Sequence, residues 1–258
     1  PTSIYIGGGT PTALDNYNLE RLLYEIQNKF DINCEYTVEC GRPDTIDEKK
    51  LDILKKYGVN RISINPQTMK DETLKTIGRT HSTDDIFDAY NLAKDKGFII
   101  NMDLIVGLPD ETIDDVNNSL EKIIELNPEN ITVHSLSIKN GSRLFKENKF
   151  YSTSDSFDLI KTIMAENNYF PYYLYRQKRM VDSGENIGFS KKGFECIYNS
   201  IMIEEVESIL GFGVSASTKI LNRKNLKFKQ HLNFRDLITY NSRVEEDILM
   251  KNSLLEEL

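Results

Sequence analysis

Cysteine is scarce in this sequence, which holds only Cys34, Cys40 and Cys196. Three thiols so far apart argue against a disulfide framework or a closed zinc site, and buried free thiols are the plain reading. Long apolar runs are missing as well. No segment approaches the roughly 20 residues that would span a bilayer, and no signal peptide opens the chain, so no membrane partner and a cytoplasmic location are expected. Nor is there an excess of basic charge. The 40 acidic residues outnumber the 32 basic ones for a net charge of -8, which argues against a general nucleic-acid surface and requires any anionic substrate to meet a local basic pocket. The chain starts at Pro1 rather than methionine and runs straight into a strand, so a cut or processed N-terminus is expected.

What is present is enough to fold. The 258 residues, 39% hydrophobic and 28% charged, can bury a sizeable core in one large domain or two small ones. Over the first half, β-rich runs at Ser3-Ile6, Cys34-Cys40, Arg61-Asn65, Ile99-Val106 and Ile131-Leu136 alternate with segments of helical period. Those helices are expected at Leu19-Phe30, Glu48-Tyr57, Asp84-Lys96 (capped by Ser82 or Thr83) and Ile113-Leu126. Apolar strands joined by helices predict a parallel α/β sheet covered on both faces and curled by right-handed crossovers into a barrel or part-barrel, with functional groups just after the strand ends. After Gly141 the pattern changes: a helix near Ser154-Asn167, an aromatic segment Tyr169-Tyr175, a polar stretch around Ser183-Gly193, a helix ending near Gly211, and helical spacing from Phe234. The expected division is thus 1–141 for the barrel part and 142–258 for a smaller appended α+β region.

The strand ends carry the chemistry. Gly7, Gly8, Gly9, Thr10, Pro11 and Thr12 follow the first strand, and such a run serves either as a tight turn, as a phosphate loop, or as a place where backbone approaches a ligand. Glu39 closes the second strand, where a carboxylate can accept the two hydroxyls of a ribose or simply face solvent. Gln67 ends the third with both a donor and an acceptor, and Arg79, twelve residues on, offers a planar fork for a carboxylate. His81 beside it reads as a loop or capping residue. Asp103 sits inside an apolar strand, which is costly unless it serves a ligand or pairs with Arg61 or Arg79. Ser135 and Ser137 end the fifth strand.

Taken together, GGGTPT, VECGRPD, RISINPQTM, IGRTH, NMDLIVGLPDET and LGFGVSAST resemble the radical S-adenosylmethionine (SAM) enzymes of the oxygen-independent coproporphyrinogen III oxidase family, most closely their coproporphyrinogen dehydrogenase branch. The resemblance runs from Tyr5 to about Lys219. It implies a partial (β/α) barrel of the radical SAM type and, as cofactors, SAM with a [4Fe-4S] cluster. It also implies a tetrapyrrole substrate, an electron donor, and the conversion of propionate side chains to vinyl groups in haem biosynthesis. Gly8, Gly9 and Thr10 match the loop that meets the methionyl part of SAM, and Glu39 matches a SAM-contacting carboxylate. Gln67, Arg79, Asp103 and Ser137 match positions that hold a second SAM; Ser217 takes a place where a related branch has an apolar residue.

One family feature is missing from these residues. The cluster cysteines occupy a CxxxCxxC loop upstream of GGGTPT, and no cysteine here has that spacing, so no metal ligand is expected in this chain and the fragment by itself is expected to be inactive. Cys34 and Cys40 should lie on one strand face about 20 Å apart. In the appended region, Tyr172 to Arg179 alternates aromatic and basic side chains. That pattern suits either an aromatic wall with a cationic rim for propionates or an edge strand with a solvated face. The alternatives to the oxidase are a haem-binding chaperone of the same superfamily and, more distantly, a phosphate-using β/α-barrel enzyme. YYLYRQKRM and GVSAST favour the oxidase branch.

Overall fold

The computed structural model describes residues 1–137, 154–176 and 185–256, which form two compact units, Pro1–Ser200 and Ile201–Leu258. In the first unit, helices start where a short polar side chain takes over N–H groups that lack a helical partner. Asp15 caps α1 (Asn16–Lys29) and Asp47 caps α2 (Glu48–Lys56). Full capping boxes, Ser82 with Asp85 and Thr112 with Asp115, open α4 (Thr83–Asp95) and α5 (Ile113–Leu126). Between them lie β1 (Ser3–Ile6), β2 (Glu35–Glu39), β3 (Arg61–Gln67), the short α3 (Asp71–Thr76), β4 (Ile99–Val106) and β5 (Asn130–Ser135). After α6 (Ser154–Glu166) come β6 (Phe170–Tyr175), β7 (Asn186–Ser190) and α7 (Ile197–Glu204), which crosses into the second unit.

The sheet order is β1-β2-β3-β4-β5-β7-β6, curled into a half-barrel. The first five strands are parallel; β7 runs antiparallel to both β5 and β6. The partial barrel expected from the sequence is therefore present, but its two faces differ. Along β4, Ile100, Met102, Leu104 and Val106 are buried while the residues between them are partly exposed. The buried set joins Tyr36, Val38, Ile62, Ile64, Ile131 and Val133 in one core with the helix residues Leu19, Leu51, Ile86 and Leu120. The register Glu39↔Ser63↔Asn101 and Asp103↔Thr132↔Gly188 puts polar groups and glycine side by side on the opposite face. This corrects the expectation of helices on both faces: period-two alternation gives the sheet an apolar outside under the helices and a polar inside to the curl.

The expected division at 141/142 lies outside the described residues, and on either side of it the strands share one sheet because β7 hydrogen-bonds β5. β7 itself falls in the stretch read as polar. Its Asn186-Ile187-Gly188-Phe189-Ser190 buries every residue, since the alternate polar positions face partners inside the curl.

The second unit contains the hairpin β8 (Ser217–Asn222) and β9 (Lys227–Leu232), then α8 (Leu237–Leu255), capped by Asp236. Buried Asp247 of α8 accepts from the Phe234 N–H at 3.2 Å and lies 2.8 Å from His231 Nε2, which pins the helix to the hairpin. The helix expected to end near Gly211 stops at Glu204. Ile209 instead forms a bridge with Lys219, and Gly211 lies so close to the Ser217 backbone that a Cβ would come within 2.4 Å of its carbonyl oxygen.

Candidate functional site

The loop after β1 and the end of β2 form one structure. Gly8 and Gly9 adopt φ of +86° and +132°, which glycine alone takes cheaply. Gly7 is needed for another reason: a Cβ there would lie 2.8 Å from Glu39 Cδ and 2.9 Å from Tyr5 Cε1. Glu39 thus rests on bare backbone. The Tyr5 hydroxyl donates to its Oε1 at 2.6 Å, and the Gly8 N–H also donates to the carboxylate. Burial raises the Glu39 pKa, the charge of Asp103 adds to the rise, and these two hydrogen bonds only partly oppose it. Tyr198 stacks on Tyr5 at 4.0 Å. Thr10 lies at the same mouth, beside Gly41 and Asn65.

At the end of β3 the register slips between Ile64 and Gln67, where Pro66 has no N–H to give the ladder. The slip leaves Gln67 buried with φ of +72°, a conformation that costs a non-glycine residue energy and occurs where the surroundings enforce it. Arg79 follows α3 and is partly buried. Burial lowers its pKa, nearby Arg42 lowers it further, and Asp44 opposes both. His81 precedes α4 as expected of a loop residue, is buried, and faces Asp44 at 4.0 Å; burial and Arg79 hold its pKa down.

Asp103 points into the curl from β4. Asn101 Nδ2 donates to its Oδ1 at 2.6 Å, and His134 Nε2 lies 3.8 Å from Oδ2. Neither arginine proposed as its partner takes that place. Arg61 instead pairs with Glu35, Nε to Oε2 at 3.3 Å, with side chains 4% and 8% exposed, and also donates to Asn130 and to the Phe194 carbonyl. Glu35 in turn accepts from the N–H groups of Ile197 and Tyr198, so the pair anchors the start of α7. That buried pair is structural, and it frees Asp103 for other work.

Gly8, Gly9, Thr10 and Glu39 gather at the ends of β1 and β2, and Asp103 influences Glu39 and Tyr5 across the curl, whereas Gln67 is in register with Leu104 of the buried face. Ser137 follows β5 and is partly buried. Ser217 begins β8 in the second unit, where Gln230 Nε2 donates to its hydroxyl at 2.8 Å. Sequence reasoning missed Tyr5, Asn101 and His134. The signal for His134 was the alternation Ile131-Thr132-Val133-His134, which puts it on the face of Thr132.

Bare backbone and the carboxylates of Glu39 and Asp103 can take hydroxyl and ammonium donors, which fits the ribose and the amine of SAM. They do not fit an iron–sulfur cluster. Among the described residues no three metal-ligating side chains come together. Cys34 and Cys40 flank β2 rather than lying within it. Cys40 is in the apolar core with a raised pKa caused first by burial, and the Cys196 thiol donates to Glu35 at 3.3 Å, its pKa pushed up to about 12 by burial and that carboxylate.

Residues 2–123 match the family model described as the Radical SAM superfamily, and the chain belongs to that superfamily, whose members use SAM and a [4Fe-4S] cluster. It is 40% identical to the oxygen-independent coproporphyrinogen-III oxidase-like protein HemZ of Bacillus subtilis (strain 168), over 100% of this chain and 53% of that protein. It is 33% identical to the heme chaperone HemW of Lactococcus lactis subsp. lactis (strain IL1403), over 99% of this chain and 66% of that one. Among solved structures, coproporphyrinogen III oxidase (HemN) from Escherichia coli, described as a radical SAM enzyme, superposes with a TM-score of 0.71 at 23% identity. That match covers 95% of this chain and 57% of HemN. The chain thus spans between about half and two thirds of the length of these relatives.

Proposed function

We propose that this chain is the SAM-holding part of a haem-pathway radical SAM oxidoreductase that converts propionate side chains of coproporphyrinogen III to vinyl groups. The observation that carries this reading is Glu39, packed on Gly7 and bonded to Tyr5 and the Gly8 N–H at the mouth of the curl. In this reading Gly8, Gly9 and Thr10 meet the methionyl end of SAM, and Glu39 takes hydroxyl or ammonium donors. Gln67, Arg79, Asp103 and Ser137 hold a second SAM. Bound SAM, cleaved with an electron from the [4Fe-4S] cluster of the complete protein, would supply methionine and a 5'-deoxyadenosyl radical; the propionate would give up a hydrogen atom to that radical, its carboxyl group as carbon dioxide and one electron to an acceptor, which leaves a vinyl group. The chain's own residues orient the ligand, exclude water and hold charge. The aromatic face of Tyr172, Tyr173 and Tyr175 provides a wall for a tetrapyrrole; of the proposed cationic rim, Arg176 pairs with Glu185 at 2.7 Å, and Lys178 and Arg179 lie outside the described residues.

A second reading is a haem chaperone, supported by the likeness to HemW over nearly the whole chain. The full gene product separates them. Under anaerobic conditions with a reductant, the oxidase reading requires loss of carbon dioxide from coproporphyrinogen III together with 5'-deoxyadenosine. Stoichiometric haem binding without either product would instead favour the chaperone.

A further inference from the structure

We propose that His134 is a positioning residue which, with Asn101, clamps the Asp103 carboxylate at one angle inside the curl so that it can receive the hydroxyls of a bound nucleoside. The proposal rests on the SAM-binding reading for the identity of that nucleoside.

The clamp is built from both sides. Thr132 Oγ1 donates to Asn101 Oδ1 at 2.9 Å, so the Asn101 amide must present its Nδ2 group to Asp103, which it does at 2.6 Å. The Tyr173 hydroxyl, 3.4 Å from Thr132 Oγ1, continues the chain to β6. The other carboxylate oxygen faces His134 Nε2 at 3.8 Å, diagonally across the β4–β5 pair, where Asp103 is in register with Thr132 and Ile105 with His134. Asn186 of β7, whose Oδ1 accepts from the Ser135 N–H at 3.2 Å, also raises the His134 pKa.

Arg61 is taken by Glu35 and does not pair with Asp103. Among the described residues, the titratable groups that act on Asp103 or His134 are Glu39 on β2, Tyr5 on β1 and Tyr173 on β6; the first is an acid and the other two are phenols with raised pKa. His134 is the cation of this group. Burial works against its proton, but Asp103 and Asn186 outweigh burial and its pKa is raised. The imidazolium is present below that raised value and is lost as pH rises through it. Asp103 Oδ2 is then released.

The test uses the chain as it stands, with His134→Gln, His134→Ala and Asp103→Asn variants. The His134 ring is titrated by NMR, and SAM affinity is measured by calorimetry from pH 6 to 9. In the unaltered chain, affinity is expected to fall as pH rises through the His134 titration. His134→Ala should bind about tenfold more weakly at pH 6 and lose the pH step, as expected for a lost ionic contact at 3.8 Å. His134→Gln keeps a neutral donor and should recover most of the affinity without the step, which a merely structural role would not predict. Asp103→Asn should lower the His134 pKa. If SAM binds but affinity and pH profile are the same in all His134 variants, or if the His134 pKa does not fall in Asp103→Asn, the proposal is overturned. If the unaltered chain binds no SAM while Asp103→Asn still lowers the His134 pKa, the SAM reading has failed and the proposal falls with it. Should His134→Ala not fold, the Gln variant and the NMR titration decide alone.

Discussion

Replacing Gly7 with alanine adds one methyl group at the point where the loop, Tyr5 and Glu39 meet. The new Cβ would lie 2.8 Å from Glu39 Cδ, 2.9 Å from Glu39 Oε1 and 2.9 Å from Tyr5 Cε1, well inside the ~3.5–4.0 Å of a relaxed carbon contact. Neither neighbour can swing aside cheaply, because their 2.6 Å hydrogen bond holds them together and Glu39 is also tied to Gly8. Overpacking of this kind costs ~1–3 kcal/mol. Gly7 is not in the left-handed region, so alanine also restricts the unfolded chain and returns ~0.4–1 kcal/mol. The expected net loss is about 1–2 kcal/mol, or about 2–4 °C in Tm for each kcal/mol in a unit of this size. SAM affinity should fall with it, since Glu39 is displaced. The assay is urea unfolding of the single variant and of the same change in a Glu39→Ala background, where much of the clash is gone and the cost should drop by more than half. A Gly7→Ala cost below about 0.5 kcal/mol, or an equal cost in both backgrounds, would refute the reasoning.

Three further outcomes are expected. Glu39 has a raised pKa, so it contributes stability that is fully present below the ordinary carboxylate range and is lost as pH rises through the raised value; Glu39→Gln should flatten the pH dependence of urea unfolding above that range. Arg61→Met leaves Glu35 buried without a partner and should cost ~3–5 kcal/mol in the same unfolding measurement, whereas Asp103→Asn should cost under ~1 kcal/mol and act on SAM binding instead; equal costs would restore Asp103 as a structural ion-pair member. Anaerobic reconstitution of the chain with iron and sulfide should yield no cubane cluster by absorbance and metal analysis, because Cys40 sits in the core while Cys196 meets Glu35. About four irons per chain would contradict this.

Local pattern carried most of the first unit. β1 and β4 fall at Ser3–Ile6 and Ile99–Val106 as read from apolar runs, and the cap at Ser82 marks where α4 begins, because these signals depend only on neighbours in the chain. The glycine loop and Glu39 were legible for the same reason: each ends a strand. Partnerships were not. Arg61 chooses Glu35 rather than Asp103 because the β2–β3 register and the start of α7 put that carboxylate beside it, and register follows from hydrogen bonds between segments distant in sequence. β7 was hidden in a polar stretch, since its polar residues find buried partners only after the sheet has curled. His134 belongs to the same class. Strand rhythm, helix starts and the glycine bend were set by local sequence; which polar side chains share the inside of the curl was not, because that depends on pairing between strands as distant in the chain as Asn130 and Ser190.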